Sequence, residues 1–270
     1  MRFMIFVFLA ISSSTIVWWK YLVPSTALAH LSDLTNGWLN PALSGMIILL
    51  LIRVYVLIIL FGKLRLSDVG LERRTILSGL MLIIGVWIAY LGCSALSLYL
   101  WGITPSLFTT FEWQYQTKSF GVIMLASLGE EIIFRGFFLS QIVSLLISRD
   151  PNYPGWSLMY ALVFSSLIFV FVHLPSRLMT APTFNDAVPG LIVMLLVSIF
   201  LGIVYFITNN LYFTWGVHFL IDIPITIWNR QIVSGGLLII VIAAIVLIAS
   251  LVLPNLRRFL SPPVSDSGRS

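Results

Sequence analysis

Ser127-Leu-Gly-Glu-Glu-Ile-Ile-Phe-Arg-Gly136 decides how this chain is read. Glu130, Glu131 and Arg135 stand inside a run that otherwise has the composition of a lipid-compatible helix. An ionisable side chain at membrane depth costs about 2.5–3.5 kcal/mol on insertion scales, so such residues face protein or a water-filled cavity and mark function. The membrane setting follows from composition. Of 270 residues, 59% are hydrophobic and 9% charged, against about 25% charge in soluble domains. The expectation is an all-α polytopic membrane protein.

Helical spacing divides the cluster. Glu131 and Arg135 are i and i+4, so they share a face and can pair. Glu130 is rotated by about 100° and lies five residues from Arg135, off that stripe and without a local counter-ion. It is therefore the carboxylate available for proton transfer as a general base or acid. Gly129 and Gly136 flank the cluster and would let a neighbouring backbone approach closely. A plainer alternative is a buried ion pair that only locks helix packing. That accounts for Glu131 and Arg135 and leaves Glu130 without a reason. Ser127 sits three residues before Glu130 and could touch it; a nucleophilic serine is the weaker reading.

Eight apolar segments reach the roughly 20 residues a bilayer crossing needs: 3–23, 42–62, 76–102, 119–147, 156–174, 188–207, 211–229 and 232–253. The first, with Met1-Arg2 before it and Ala27-Leu-Ala29 after it, could instead be a signal peptide. The polar run Ser12-Ser13-Ser14 and Lys20 separate the small-residue site from the apolar core, which favours a retained helix. Residues 63–74 are basic and amphipathic, as expected of a cytoplasmic loop or interfacial helix. With that loop inside, alternation places Arg2, Lys63, Arg65, Arg73, Arg74, Arg149, Arg257, Arg258 and Arg269 inside. Lys20, Lys118, Arg177 and Arg230 fall outside, so both termini are expected in the cytoplasm. Residues 1–260 read as a single transmembrane domain with its motif core at 119–230, and 261–270 as a disordered tail. The net charge of +5 is spread over loops and tail and does not suggest nucleic acid. Cys93, the single cysteine, rules out an intrachain disulfide and reads as buried and inert.

Other ionisable residues fall in later spans. His173 follows Phe169 by one turn and is expected to end the fifth span, with Pro175 stopping the helix. His218 and Asp222 are i and i+4 in the seventh span and can hydrogen-bond, with Pro224 beyond them freeing a backbone carbonyl. On its own, each could be a packing or interfacial feature. Together Glu130, His173, His218 and Asp222 offer groups that could activate a water and stabilise an oxyanion. They are also respectable metal ligands, although the paired-histidine zinc motif and the G-x-S-x-G serine elbow are both absent. Arg53, in the second span, receives no role.

Glu130-Glu131-x-x-x-Arg135, Phe169-x-x-x-His173 and His218-x-x-x-Asp222, in that order, resemble the CAAX protease and bacteriocin-processing family, also called CPBP or Abi. The chain looks like the group containing the Ras-converting CAAX prenyl endopeptidases. The resemblance runs over about 63–230 and includes Leu66-Ser-Asp-Val-Gly-Leu71. It implies an eight-helix membrane fold and a glutamate-dependent intramembrane endopeptidase that needs no metal or other cofactor. Glu130 would be the base, activating water held jointly with His173. His218 and residue 222 would face the oxyanion, and Glu131, Arg135 and Phe169 would support them. Many members carry Asn at the last motif position. Asp222 must therefore be protonated, or must orient and charge His218 so that the histidine alone donates. The implied partners are a membrane-associated protein or peptide substrate and the bilayer, and a bacterial plasma membrane is the expected location. A non-catalytic scaffold or bacteriocin-immunity protein of the same family is the alternative. A proton-coupled transporter ranks last, since no inverted repeat is visible.

Overall fold

The computed structural model describes residues 2–17, 20–21, 24–37, 39–104, 113–149, 154–223 and 235–252. Among these residues all regular structure is helical. The order is α1 (Arg2–Val17), α2 (Thr26–Leu34), α3 (Pro41–Leu50), α4 (Arg73–Leu100), α5 (Trp113–Glu131), α6 (Ser140–Arg149), α7 (Pro154–Thr180), α8 (Phe184–Thr208), α9 (Leu211–Asp222) and α10 (Gly235–Val252). Two π-helical stretches interrupt the α winding: π1 (Leu51–Phe61) prolongs α3, and π2 (Ile132–Leu139) joins α5 to α6. Helix starts follow ordinary capping chemistry. Asn40 accepts from Leu43 N at 2.9 Å with Pro41 in the first turn, and Asn210 accepts from Phe213 N at 3.1 Å, which satisfies amides the helix itself cannot.

Among the described residues, four stretches are long and apolar enough to cross a membrane: Pro41–Phe61, Leu66–Leu100, Gly155–Thr180 and Phe184–Thr208. They carry exposed apolar side chains, Leu77, Ile84 and Ile88 on α4 and Ile192, Val193 and Leu196 on α8. Apolar surface of that extent suits lipid and not water, and the chain is an integral membrane protein. The expected count of eight spans is not confirmed by the described residues. In segment 3–23 the described helix α1, Arg2–Val17, is a shorter apolar helix. Segment 119–147 is helical throughout but is broken in polarity by Glu130, Glu131 and Arg135. Segment 211–229 is described only as far as Ile223, and 232–253 contains a shorter apolar helix, Gly236–Ala249. Pro224 and the tail 261–270 lie outside the described residues.

Two further expectations are corrected. Cys93 is exposed on α4, not buried; an apolar run reads alike whether it faces lipid or core. Pro175 does not end the helix, because α7 continues to Thr180. Proline removes one N–H and crowds the carbonyl four residues back, a cost that membrane helices tolerate. Ser176 Oγ donates to the His173 carbonyl at 2.8 Å and Thr180 Oγ1 to that of Ser176 at 3.1 Å. His173 therefore lies within a helix and is held by it on both sides.

The chain forms two compact units, 1–69 with 114–203, and 70–113 with 204–270. In the first, α1 packs on α7 and π1, while α6 and π2 pack on α7. The turn Leu66–Val69, a single 3₁₀ turn with Val69 fully buried, lies against π2. Gly136 is the reason it fits: a Cβ there would overlap the Val69 carbonyl oxygen. At Gly129 the neighbour is instead a side chain, Leu50 Cδ1 at 2.9 Å. Gly136→Ala is expected to cost about 1–3 kcal/mol, the usual range for overpacking. Gly129→Ala should cost less, because a leucine tip can rotate. Thermal unfolding of the detergent-solubilised variants measures the difference.

In the second unit α4, α9 and α10 pack on one another. Asn210, fully buried, ties α9 to α4 by donating from Nδ2 to the Thr75 carbonyl at 3.1 Å and to Ser78 Oγ at 3.2 Å.

Candidate active site

The site begins with a buried ion pair. Arg135 Nη1 donates to Glu131 Oε1 at 2.9 Å, and the two side chains are 2% and 0% exposed. Removing two charges from water is costly unless further bonds complete the arginine's donor set. Helix α8 supplies them: Arg135 Nη2 donates to the Ser198 carbonyl at 3.0 Å and to Ser198 Oγ at 3.2 Å. Phe169 of α7 adds a third wall, with its ring centroid 5.4 Å from the guanidinium carbon, within cation–π range. Phe134 meets the same ring edge-on at 4.9 Å. One arginine thus pins π2 to α7 and α8.

The pairing of Glu131 with Arg135 is as the spacing predicts. The isolation of Glu130 is not. The cluster lies where α winding passes into π winding, in which each N–H bonds to the carbonyl five residues back. Positions five apart then approach one another, and Arg135 is acted on electrostatically by Glu131 first and by Glu130 second. Glu130 also meets α7, with its Oε1 3.3 Å from His173 Nε2. Both side chains are about a quarter exposed, 24% and 23%, and both line a cavity of about 240 Å³. Glu130 is therefore the member of the acidic pair that reaches open space.

His173 is oriented before it meets Glu130. Its Nδ1 lies 2.8 Å from the Phe169 carbonyl, one turn back in α7. A carbonyl only accepts, so Nδ1 carries the hydrogen and Nε2 is the nitrogen turned to Glu130. The Phe169 ring lies against the imidazole, centroids 4.4 Å apart. Phe169 thus serves His173 twice, through its carbonyl and its ring, while its ring also meets Arg135. Nε2 facing a carboxylate oxygen is an arrangement through which a proton can pass between the two groups. A pair of this kind can take a proton from water and return it.

The cavity wall is mostly apolar, with Met46, Leu49, Leu50, Val122, Leu125, Ile133, Phe134 and Val172. Its polar members are Thr15, Arg53, Glu130, His173 and Ser176. Such a mixture, an apolar hollow with a few convergent polar groups, is the usual form of a small-molecule or peptide-binding pocket. Ser127 is buried, and its hydroxyl donates to the Met124 carbonyl at 3.2 Å. It does not line the cavity, so nothing favours a nucleophilic role for it.

His218 and Asp222 form their own pair in the second unit. Nε2 of His218 is 3.4 Å from Asp222 Oδ2, with the histidine buried and the aspartate exposed. The i,i+4 proximity anticipated for them is present. Sequence reasoning missed Ser198 and Arg53. Ser198 carries no signal, being one serine in an apolar helix. Arg53 does carry one, as an ionisable residue within a span, but snorkelling or pairing elsewhere accounts for it equally well at the level of sequence.

Residues 112–224 match the family model described as type II CAAX prenyl endopeptidase Rce1-like. The matched stretch contains all three motifs, from Glu130 to Asp222. No curated protein and no solved structure matches the chain. Over this region, somewhat under half of its length, the chain is similar to the CAAX protease family.

Proposed function

We propose that the protein is an intramembrane endopeptidase that hydrolyses a peptide bond with water activated by Glu130 and His173. The observation that carries the proposal is the 3.3 Å approach of His173 Nε2 to Glu130 Oε1 on the wall of an open cavity. A water held by the two groups attacks the scissile carbonyl carbon, forming a C–O bond as its proton passes to Glu130. The carbonyl π pair moves onto the oxygen. When the tetrahedral intermediate collapses, the C–N bond breaks and Glu130 returns the proton to the leaving amine. Glu131 and Arg135 do not react in this scheme. They fix π2, and with it the direction of Glu130. By the family resemblance, His218 takes the oxyanion-facing role. Asp222 lies within 3.4 Å of it, so the acid can orient and charge that histidine where many members carry an amide.

The reaction is proposed to be metal-independent. Among the described residues no group of three or more His, Cys, Asp or Glu side chains has the geometry of a metal site, and two protein ligands are fewer than a catalytic zinc ordinarily has. The family description points to a prenylated, membrane-associated protein as substrate. The apolar cavity wall is compatible with aliphatic side chains beside the scissile bond. The test is cleavage of an internally quenched prenylated peptide with a CAAX terminus by purified protein in detergent. Turnover should persist in excess EDTA or phenanthroline. Loss of turnover on chelation, restored by zinc, would overturn the metal-free mechanism.

A further inference from the structure

Arg53 lies on the wall of the same cavity as Glu130 and His173, and α1 fixes it there. Its Nε donates to Ser14 Oγ at 2.8 Å, and its Nη2 donates to Thr15 Oγ1 at 2.6 Å and to the Ile11 carbonyl at 3.2 Å. Ile11 and Thr15 also line the cavity, so the guanidinium is bracketed at its edge. The other terminal nitrogen, Nη1, has no hydrogen-bond partner among the described residues. The bracket gives Ser14 and Thr15 a role in an otherwise apolar helix. A free arginine at this depth would snorkel toward the interface. Three bonds hold this one in place.

The position has chemical meaning. In the proposed reaction a negative charge leaves Glu130 when it takes the water proton and reappears on the substrate oxygen. Glu130 already acts electrostatically on Arg53. A fixed cation beside that path stabilises both ends of it, and preorganised donors aimed at developing charge are commonly the largest single contribution to catalysis. His173 of α7 lies 3.3 Å from Glu130, and Arg135 of π2 is committed to Glu131 and Ser198. Arg53 keeps a terminal nitrogen that its partners on α1 do not engage, a donor additional to the His218 to which the resemblance gives the oxyanion.

We propose that Arg53, clamped by Ser14 and Thr15 of α1, is a catalytic residue that binds the oxyanion of the tetrahedral intermediate. The inference rests on the Glu130–His173 peptidase reading. It makes α1 part of the active site, in place of a mere membrane anchor.

The test compares Arg53→Met, Arg53→Lys and Thr15→Val with wild-type protein, using the quenched prenylated CAAX peptide and thermal unfolding in parallel. Removal of one oxyanion donor typically lowers kcat by about 10²–10³-fold. Arg53→Met should show a loss of that order with KM nearly unchanged. Arg53→Lys should recover at least tenfold of it, because the charge returns without the fork, and Thr15→Val should lie between Arg53→Met and wild type. Wild-type kcat in Arg53→Met would overturn the proposal. So would a loss confined to KM, which would make Arg53 a ground-state anchor for a substrate anion. A third contrary result is Arg53→Lys no better than Arg53→Met with both unfolding early, which would reduce the arginine to a packing clamp. The underlying reading fails separately, through wild-type protein that does not cleave or Glu130→Gln protein that does, and either would remove the role of Arg53 with it.

Discussion

Glu130→Gln is expected to lower turnover by about 10²–10⁴-fold, the range that loss of a positioned general base produces, while the protein inserts and unfolds much as wild type does. Glutamine keeps the volume and can still contact His173 Nε2, so the change removes proton affinity and little else. The neighbouring acid should behave in the opposite way. Glu131 is fully buried against Arg135, so substituting it should damage the fold before the chemistry. Sequence-adjacent glutamates thus separate into one variant that is stable and inactive and one that is poorly folded. Kinetics with the prenylated peptide and thermal unfolding on the same preparations distinguish them.

The second large effect concerns Arg135. Arg135→Met leaves Glu131 buried without its cation and breaks the two bonds to Ser198. Breaking one side of a buried ion pair costs about 3–5 kcal/mol, a large share of the 5–15 kcal/mol that holds a typical domain together. The variant should accumulate poorly and unfold at low temperature. Glu131→Leu combined with Arg135→Met removes both charges together, and should regain much of the lost stability, since apolar replacement of a whole buried pair is often close to neutral. A double variant as unstable as the sum of the singles would mean that Ser198 and Phe169, and not the ion pair, dominate the arginine's contribution.

The sequence was most informative where the contact is local. Glu131 with Arg135 and His218 with Asp222 are one turn apart, so ordinary helical spacing puts each pair together, and the structure does the same. The meeting of Glu130 with His173 spans two helices. No periodicity contains it, and only the ordered motifs pointed to it. Winding was the less visible element. The π turn that brings Glu130 within the influence of Arg135 leaves no mark in a run of Ile-Ile-Phe, and spacing computed for an α-helix made Glu130 more isolated than it is. Orientation toward lipid was likewise hidden at Cys93, because lipid and core select the same residue types. Pro175 has a physical reason for staying inside α7: proline is disfavoured within helices through its lost N–H and ring clash, yet membrane helices tolerate it. Arg53 and Ser14-Thr15 were each visible as oddities in apolar runs, and only packing showed that one explains the other.

The central claim is that Glu130 and His173 activate one water as a unit. Groups that act together lose activity together, and the second removal adds little to the first. The direct measurement is kcat/KM for Glu130→Gln, His173→Gln and the double variant on the prenylated peptide. The account predicts two severely impaired single variants and a double variant no more than a few-fold worse than either. Losses that multiply in the double variant, or a single variant with full turnover, would contradict it.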